Sequence, residues 1–359
     1  MMLRLLGLGV VAVLLVGVGG CSAQSDGEAF YLEARVSVAV DRPGGEVLGE
    51  VYGPTETGVR WWYRDDTHFR HEYYDPSAMF EWGPRTNVAG GDVAVFYDPR
   101  LDSYSERSLD ELGGASLYPS FSAIFGPLPF ETVDSFIEDW RTRVERIERV
   151  GTDEILGHRV DVYEYGPTSG ASSGGAASRS GVGRFYIDPE AMIVLRHTVD
   201  GGEMGPSFDA EVTVFEPDPA FDKGLFDPDP PASAVRVGDN ADSCPDVSSA
   251  FLAFPIPAGW TFEGSGGTSR SQNCPQWEVF AGYSRADDRM AIVQHAIPPS
   301  GLPDVRRDAQ PVLGLGVEAY HLTAPDLERL VVVREGILVE IAARGATLDE
   351  MTVIAMSAE

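Results

Sequence analysis

The sequence predicts an α+β protein in which antiparallel strands outnumber helices and two folded units follow one another. Short runs rich in β-branched and aromatic residues alternate with Pro, Gly and Asp clusters, which is typical of strands. A brief stretch of helical periodicity interrupts them, and a second series of strands follows a proline-rich break. At 359 residues and 43% hydrophobic composition, the chain is long and apolar enough for two globular domains.

The N-terminus is typical of an exported lipoprotein. One arginine precedes an apolar run over residues 5–20, which is shorter than the roughly 20 residues that span a bilayer. Its ending, V-G-G-C, resembles the bacterial lipobox, which implies cleavage before Cys21 and anchoring through acyl chains on that thiol. The alternative is an ordinary secretory signal with a chance cysteine. We expect residues 1–20 to be a signal peptide and 21–27 a lipidated tether.

The net charge of the chain and the residue that follows Cys21 indicate where the protein is located and which partners it binds. Acidic residues outnumber basic ones by 56 to 27, and the resulting net charge of −29 repels nucleic acid and anionic headgroups. Nucleic acid is therefore excluded as a partner, and the membrane is engaged through the Cys21 lipid. Because Ser22 rather than aspartate follows, the usual inner-membrane retention signal is missing. We expect the protein in the cell envelope, on the extracytoplasmic face of an outer membrane or of the cell membrane.

Two further cysteines, Cys244 and Cys274, are the remaining internal pair. Outside the cytoplasm such thiols usually oxidise, so we expect one disulfide. In the chain-entropy model a closed loop of this length adds roughly 3–4 kcal/mol of stability. Two free buried thiols are the alternative.

The first unit, residues 28–231, is predicted as strands interrupted once by helices. Strands are expected at 34–41, 59–64, 67–74, 92–97, 144–152, 155–165, 183–188, 193–200 and 209–215. Short amphipathic helices are expected at 120–125 and 130–140, on either side of a Gly-Pro-Leu-Pro break. A Gly/Ser/Ala stretch at 167–181 reads as a hairpin loop, and a run of Asp-Pro steps ends the unit.

The second unit, residues 232–359, is predicted to be smaller. A helix is expected at 246–254, and another begins at a capping box formed by Thr347 and Glu350. Strands are expected near 277–283, 290–297, 316–322, 327–334 and 337–343.

Several stretches carry a resemblance to a known family. One family element is a strand pair that ends in an aromatic Y-D/N-P corner, and residues 69–72 with 92–99 are similar to it. Another is a G-x-x-hydrophobic strand, which residues 155–163 resemble. Residues 184–196 resemble a W-I-D-x-x-T-x-x-P-x-R hairpin, and 225–228 its closing LF element. The first unit thus resembles the LolA/LolB superfamily of lipoprotein carriers, with the RseB/MucB sensors and LppX-type lipid carriers. The second resembles a domain of unknown function often found behind it.

The resemblance implies a strongly curved antiparallel half-barrel sheet, lidded by short helices, around an apolar space. Alternation fits this picture, because Trp61 and Tyr63 share one strand face, and Phe69 and Tyr73 share another. An ordinary dry core is the alternative. The residues expected to bind a ligand are Trp61, Tyr63, Phe69, Tyr73, Phe121, Phe125, Phe130, Phe136, Leu195, Val212 and Val214.

Apparent catalytic and metal motifs fail on geometry. His68 and His71 stand three apart on a strand and so point to opposite faces, which excludes a shared metal ion. A G-x-S-x-G match at 170–174 lies in low-complexity loop rather than between a strand and a helix. A run of acidic residues reads as a solvated turn rather than a calcium site: Asp218, Asp222, Asp227 and Asp229. The sequence therefore predicts a non-enzyme with no cofactor.

The leading hypothesis is a binding protein that holds an acyl chain of a lipid or lipoprotein, or another long apolar ligand. Burying one CH₂ group is worth roughly 0.8 kcal/mol, so a medium acyl chain reaches micromolar affinity without specific polar contacts. The alternative is an RseB/MucB-type envelope sensor or regulator that acts on an envelope protein partner. The third hypothesis is that the protein has a purely structural role in the envelope.

Overall fold

The described part of the chain forms two curved, mostly antiparallel sheets and two helices, which confirms the predicted α+β class. No helix in the described part is long and apolar enough to cross a membrane. In the computed structural model, the described residues are 29–39, 55–65, 67–75, 80, 83–109, 130, 132–166, 182–200, 207–237, 251–269, 276–297, 301–302, 304–324 and 327–357.

The first sheet contains the strands of residues 30–236. Their bounds are β1 (Phe30–Ala39), β2 (Thr55–Asp65), β3 (His68–Tyr74), β4 (Arg85–Gly90), β5 (Val93–Asp98), β6 (Ser103–Ser108), β7 (Ile147–Ile155), β8 (His158–Tyr165), β9 (Val182–Asp188), β10 (Ile193–Asp200), β11 (Ser207–Pro217) and β12 (Val235–Arg236). The strand order is β12-β6-β5-β4-β3-β2-β1-β11-β10-β9-β8-β7. The sheet is open and curved, as a half-barrel.

The topology of the first sheet is a pair of meanders joined at β1. Strands β1 to β6 pair consecutively, and so do β7 to β11, all of them antiparallel. The join is the pairing of β1 with β11, which runs from Phe30 opposite Pro217 to Ala39 opposite Ser207. The first strand of the chain therefore lies in the interior of the sheet.

The edge beyond β6 carries a short strand from outside the predicted first unit. Val235 and Arg236 of β12 pair in parallel with Ser103 and Tyr104 of β6. The first sheet thus continues past Pro231, where the sequence suggested a boundary. The division of the chain into two domains at that point stays a prediction.

Helix α1 (Val133–Arg141) begins at a capping box. Thr132 accepts a hydrogen bond from the backbone N–H of Ser135, and the Ser135 hydroxyl accepts one from the backbone of Thr132. The helix buries Phe136, Ile137 and Trp140 against the first sheet. It overlaps the predicted 130–140 segment, starts later because the cap is Thr132, and ends one residue beyond it at Arg141. The other predicted helix, 120–125, lies outside the described residues.

The second sheet is smaller and carries helix α2 (Leu348–Met356) on one face. Its strands are β13 (Thr261–Ser269), β14 (Gln276–Arg285), β15 (Asp288–Ala296), β16 (Gln310–Pro311), β17 (Ala319–Ala324), β18 (Leu327–Arg334) and β19 (Ile337–Arg344). They are ordered β13-β14-β15-β19-β18-β17-β16. Met351 and Ile354 of α2 are buried in the same cluster as Leu330 and Val339.

The predicted capping box of α2 forms only in part. Thr347 accepts a hydrogen bond from the backbone N–H of Glu350, at 3.2 Å. The Glu350 carboxylate instead accepts hydrogen bonds from Arg285 and from the indole N–H of Trp260. A distant cation thus outcompetes the local backbone donor for this carboxylate, which lowers the pKa of Glu350.

The helix predicted at 246–254 is wrong for the part that the structure describes. Residues 251–254 are not helical. The buried Gln294 amide takes both backbone groups of Leu252, since its Oε1 accepts the N–H at 2.8 Å and its Nε2 donates to the carbonyl at 3.0 Å. Pro255 also disfavours helical geometry in the residue before it. These contacts hold the segment against the second sheet.

Two glycines of the first sheet allow tyrosine rings to lie across neighbouring strands. Gly58 stands opposite Tyr74, and Gly183 stands opposite Tyr165. A Cβ added at Gly183 would lie 2.1 Å from the Tyr165 ring. The Tyr165 hydroxyl, in turn, lies 2.7 Å from Nε2 of the buried His197. The glycine therefore permits a buried hydrogen bond that spans three strands.

We expect Gly183→Ala to lower the free energy of unfolding by about 1–3 kcal/mol, because the Tyr165 ring must move and strain its bond to His197. Urea unfolding followed by tryptophan fluorescence measures the change. Gly151→Ala on β7 is the control, since an added Cβ there meets no atom within 4 Å; it should be neutral or stabilise by up to about 1 kcal/mol. Equal unfolding midpoints for the two variants would contradict the packing described.

Candidate functional site

One face of the first sheet carries its buried apolar side chains and is called here the inner face. Residues directly opposite one another on paired strands share a face. Phe30 of β1 lies opposite Tyr63 of β2, which lies opposite Phe69 of β3. Leu32 lies opposite Trp61 in the next row, and all five side chains are buried.

Aromatic rings form a continuous surface on β1, β2 and β3. The Phe30 ring centroid lies 5.1 Å from that of Trp61 and 5.2 Å from that of Tyr63. Trp61 lies 4.8 Å from His71, which lies 5.3 Å from Tyr73. We call this surface the aromatic wall; its members are Phe30, Trp61, Tyr63, Phe69, His71 and Tyr73.

Helix α1 packs on the other half of the inner face, over β8 to β10. The Trp140 ring lies 4.6 Å from Phe185 and 5.2 Å from Tyr165, and the Phe136 ring lies 5.1 Å from Phe185. His197 completes the group at 4.1 Å from Phe185. Rings at these separations are in van der Waals contact. This half of the inner face is therefore a dry, packed core.

The structure gathers most of the residues expected to bind a ligand into one core. Tyr73 is partly buried against that core, whereas Phe121 and Phe125 lie outside the described residues. Contact of any of these residues with a ligand stays a prediction. The buried ones are Trp61, Tyr63, Phe69, Phe130, Phe136, Leu195 and Val212.

The expectation that Val214 shares the inner face with Val212 is wrong. A β-bulge interrupts the β1–β11 pairing, so that Val212 lies opposite Ala34 but Val214 lies opposite Glu33. Glu33 faces the other side of the sheet, where its carboxylate lies 3.6 Å from Arg60. Simple alternation fails here because the bulge adds one residue to β11.

His71 is an inner-face residue that sequence reasoning considered only as half of a metal pair, which it rejected. The same alternation that places Phe69 and Tyr73 on one face also places His71 there. The imidazole is fully buried, and the Tyr73 hydroxyl lies 3.3 Å from its Nδ1. Burial lowers the pKa of His71 to about 3, so the ring is neutral at physiological pH.

The row that contains His71 continues onto strands that sequence reasoning left out of the site. His71 lies opposite Asn87 of β4, which lies opposite Phe96 of β5. Phe96 lies opposite Ser105 of β6. This row thus changes from aliphatic and aromatic side chains on β1 to β3 to amide, aromatic and hydroxyl side chains beyond them.

The covalent sites expected from the sequence are not described by the structure. Cys21, Cys244 and Cys274 all lie outside the described residues. The lipid anchor and the disulfide therefore stay predictions.

A polar cleft of about 500 Å³ lies between the β7–β8 and β9–β10 turns. Its buried Asp188 has Oδ2 2.7 Å from Nδ1 of His158. Its Oδ1 accepts hydrogen bonds from the backbone N–H groups of Glu190 and Ala191, at 2.8 and 3.1 Å. These bonds occupy the carboxylate and hold the turn after β9. Asp188 therefore has a structural role, and we do not take the cleft as the candidate functional site.

No family model matches the sequence, and no curated protein matches it. The structure is similar to that of the MucA/MucB complex of Pseudomonas aeruginosa, at 9% identity over 92% of this chain and 93% of that one, with a TM-score of 0.31. Another structure of MucB matches at 13% identity over 92% of each chain, with a TM-score of 0.32. The lipoprotein LppX of Mycobacterium tuberculosis matches at 13% identity over 54% of this chain and 88% of that one, with a TM-score of 0.29.

MucB and LppX are among the proteins that the sequence resemblance named. The similarity concerns the fold alone.

We expect His71 to make the protein less stable as the pH falls below about 6.5, the ordinary pKa of histidine. Between that value and the folded pKa of about 3, the unfolded chain binds a proton that the folded chain does not. The free energy of unfolding should fall by roughly 1.4 kcal/mol per pH unit from this group. Urea midpoints of the wild type and His71→Asn, measured from pH 7 to 4, isolate it. Parallel curves would show that His71 is not buried as a neutral ring.

Proposed function

We propose that this protein is a non-catalytic envelope lipoprotein that holds an acyl chain, or another long apolar ligand, against the aromatic wall. The observation that carries the proposal is the asymmetry of the inner face. Helix α1 makes its ring contacts with Tyr165 and Phe185, on the β8–β10 half. The wall on β1 to β3 is a second large aromatic surface in the same core, and a flexible apolar ligand is proposed to enter against it.

The energetics of the wall suit a ligand that has little polar character. Aromatic side chains bury about 150–250 Å² each, and each CH₂ group that leaves water contributes roughly 0.8 kcal/mol. Part of this gain is lost to ordering of the ligand on binding. A chain of medium length therefore retains micromolar affinity or better.

The lipobox at Cys21 supplies the location in this proposal. A protein held by acyl chains on its first residue works at a membrane surface, where apolar ligands are concentrated. The sheet begins at Phe30, only nine residues after Cys21 (30 − 21 = 9). This short tether would thus keep the ligand site close to the membrane.

A sensor role is the second candidate, and one contact favours it. Phe80, six residues after the end of β3 at Tyr74, is buried in a cluster with Val331 and Leu338 of the second sheet. Its ring lies 6.4 Å from that of Tyr320. The strand that carries three members of the aromatic wall is therefore linked over a short distance to the second sheet. Through this link, a change at the aromatic wall can alter the second sheet and so affect a protein partner.

Matched phenylalanine truncations test the proposed site. Phe185→Ala should cost about 3–5 kcal/mol of stability, because it leaves a void in a packed core. Under this proposal Phe69→Ala should cost roughly half as much, because the site is one that can open to admit a ligand chain and so loses fewer permanent contacts. Phe69→Ala should also weaken binding of a fluorescent acyl-chain probe about fivefold, which corresponds to about 1 kcal/mol. Urea midpoints and fluorescence titrations on both variants provide the measurements.

If the wild type binds no acyl-chain probe and both truncations cost the same, the wall is part of a dry core. The sensor role would then be the better account of the molecule.

Replacement of the acylated cysteine tests the anchor. We expect Cys21→Ser to leave the protein soluble or as an uncleaved precursor, because both processing and anchoring require the thiol. Membrane fractionation followed by intact-mass measurement checks this. A variant that sediments with membranes at the mature mass would refute the lipoprotein assignment.

A further inference from the structure

A single row of side chains crosses the inner face from β1 to β6 and changes character along its length. It begins with aliphatic and aromatic groups and ends with neutral polar ones. None of its members is charged. Each lies directly opposite the next, in the order Leu32, Trp61, His71, Asn87, Phe96 and Ser105.

The neighbouring rows carry charge on β4 to β6, and the cation beside Asn87 is ion-paired. On one side, Tyr73 lies opposite Arg85, whose Nε lies 3.1 Å from Oδ2 of Asp98. On the other side, the row of Phe69 reaches the exposed Arg107 only on β6. The nearest cation to His71 along the strands is therefore already engaged by a carboxylate.

Asn87 is the polar group of this row that is open to a ligand. Its side chain is partly exposed, and its amide has no hydrogen-bond partner among the residues that the structure describes. An asparagine amide offers two donors and one acceptor oxygen without net charge. The neighbouring His71 is fully buried and bonded to Tyr73, so this part of the row is polar and neutral.

We propose that the ligand is an amphiphile with an uncharged, hydrogen-bonding head group, such as a hydroxyl, amide or ester. The head group lies on Asn87 beside His71, and the chain lies along the aromatic wall. This inference rests on the proposed function and adds the chemical class of the ligand. A carboxylate head would lose water beside a neutral ring, with Arg85 already paired, and burial of an uncompensated charge is costly.

Three probes with the same fluorescent chain test the head group: a plain hydrocarbon end, a monoacylglycerol and a free acid, each titrated into the full mature chain at pH 7.5. The wild type should bind the monoacylglycerol about five- to tenfold tighter than the acid. One or two net hydrogen bonds to the head group account for this difference in affinity. Asn87→Leu should lose most of that preference and leave binding of the hydrocarbon probe unchanged.

Thr86→Val is the matched control, because Thr86 lies on the opposite face of the same strand and donates to the carbonyl of Pro84 at 3.2 Å. It should alter none of the three affinities. Equal binding of acid and monoacylglycerol by the wild type, or an equal loss of all three probes in Asn87→Leu, would refute the head-group inference. The proposed function would survive that result, since the hydrocarbon probe still binds. Failure of every probe to bind the wild type would refute both.

Discussion

The pairing of β1 with β11 is the interaction on which the first sheet depends. It joins residues at the start of the sheet to residues nearly 190 positions later, and turns two separate meanders into one surface (217 − 30 = 187). Because side chains alternate faces along a strand, a slip of one residue in this pairing would move every inner residue of one meander to the outside. The alternation on β1, which places Phe30, Leu32, Ala34 and Val36 on one face and polar residues on the other, is what makes one register far better than its neighbours.

The inner face that results has two halves with different packing. Over β8 to β10, α1 is held in place by its capping box at Thr132 and presents Phe136 and Trp140 to the sheet. The aromatic wall on β1 to β3 is buried in the same core cluster and is the half that we propose a ligand contacts.

Neutrality is the feature that unites the site. His71 is buried so deeply that it stays uncharged, and the ring stabilises the wall through Trp61 and Tyr73 rather than through an ion pair. The chain as a whole carries a net charge of −29, yet the row through His71 and Asn87 has no charged member. Under the proposed function, such an uncharged row would favour ligands that bind by apolar area and by hydrogen bonding.

Local pattern in the sequence determined the class of fold, most strand positions, helix α1 and the face on which Trp61 and Phe69 lie, because alternation and capping act between near neighbours. The resemblance of residues 18–21 to a lipobox also comes from sequence alone, and the anchor that it implies stays a prediction. Only the tertiary structure decided the order of the strands, the bulge that turns Val214 outward and the return of β12 to the edge of the first sheet. It also decided that His71 faces Asn87. These depend on register between segments far apart in the chain, and that register is set by the packing of whole faces, which no local periodicity contains.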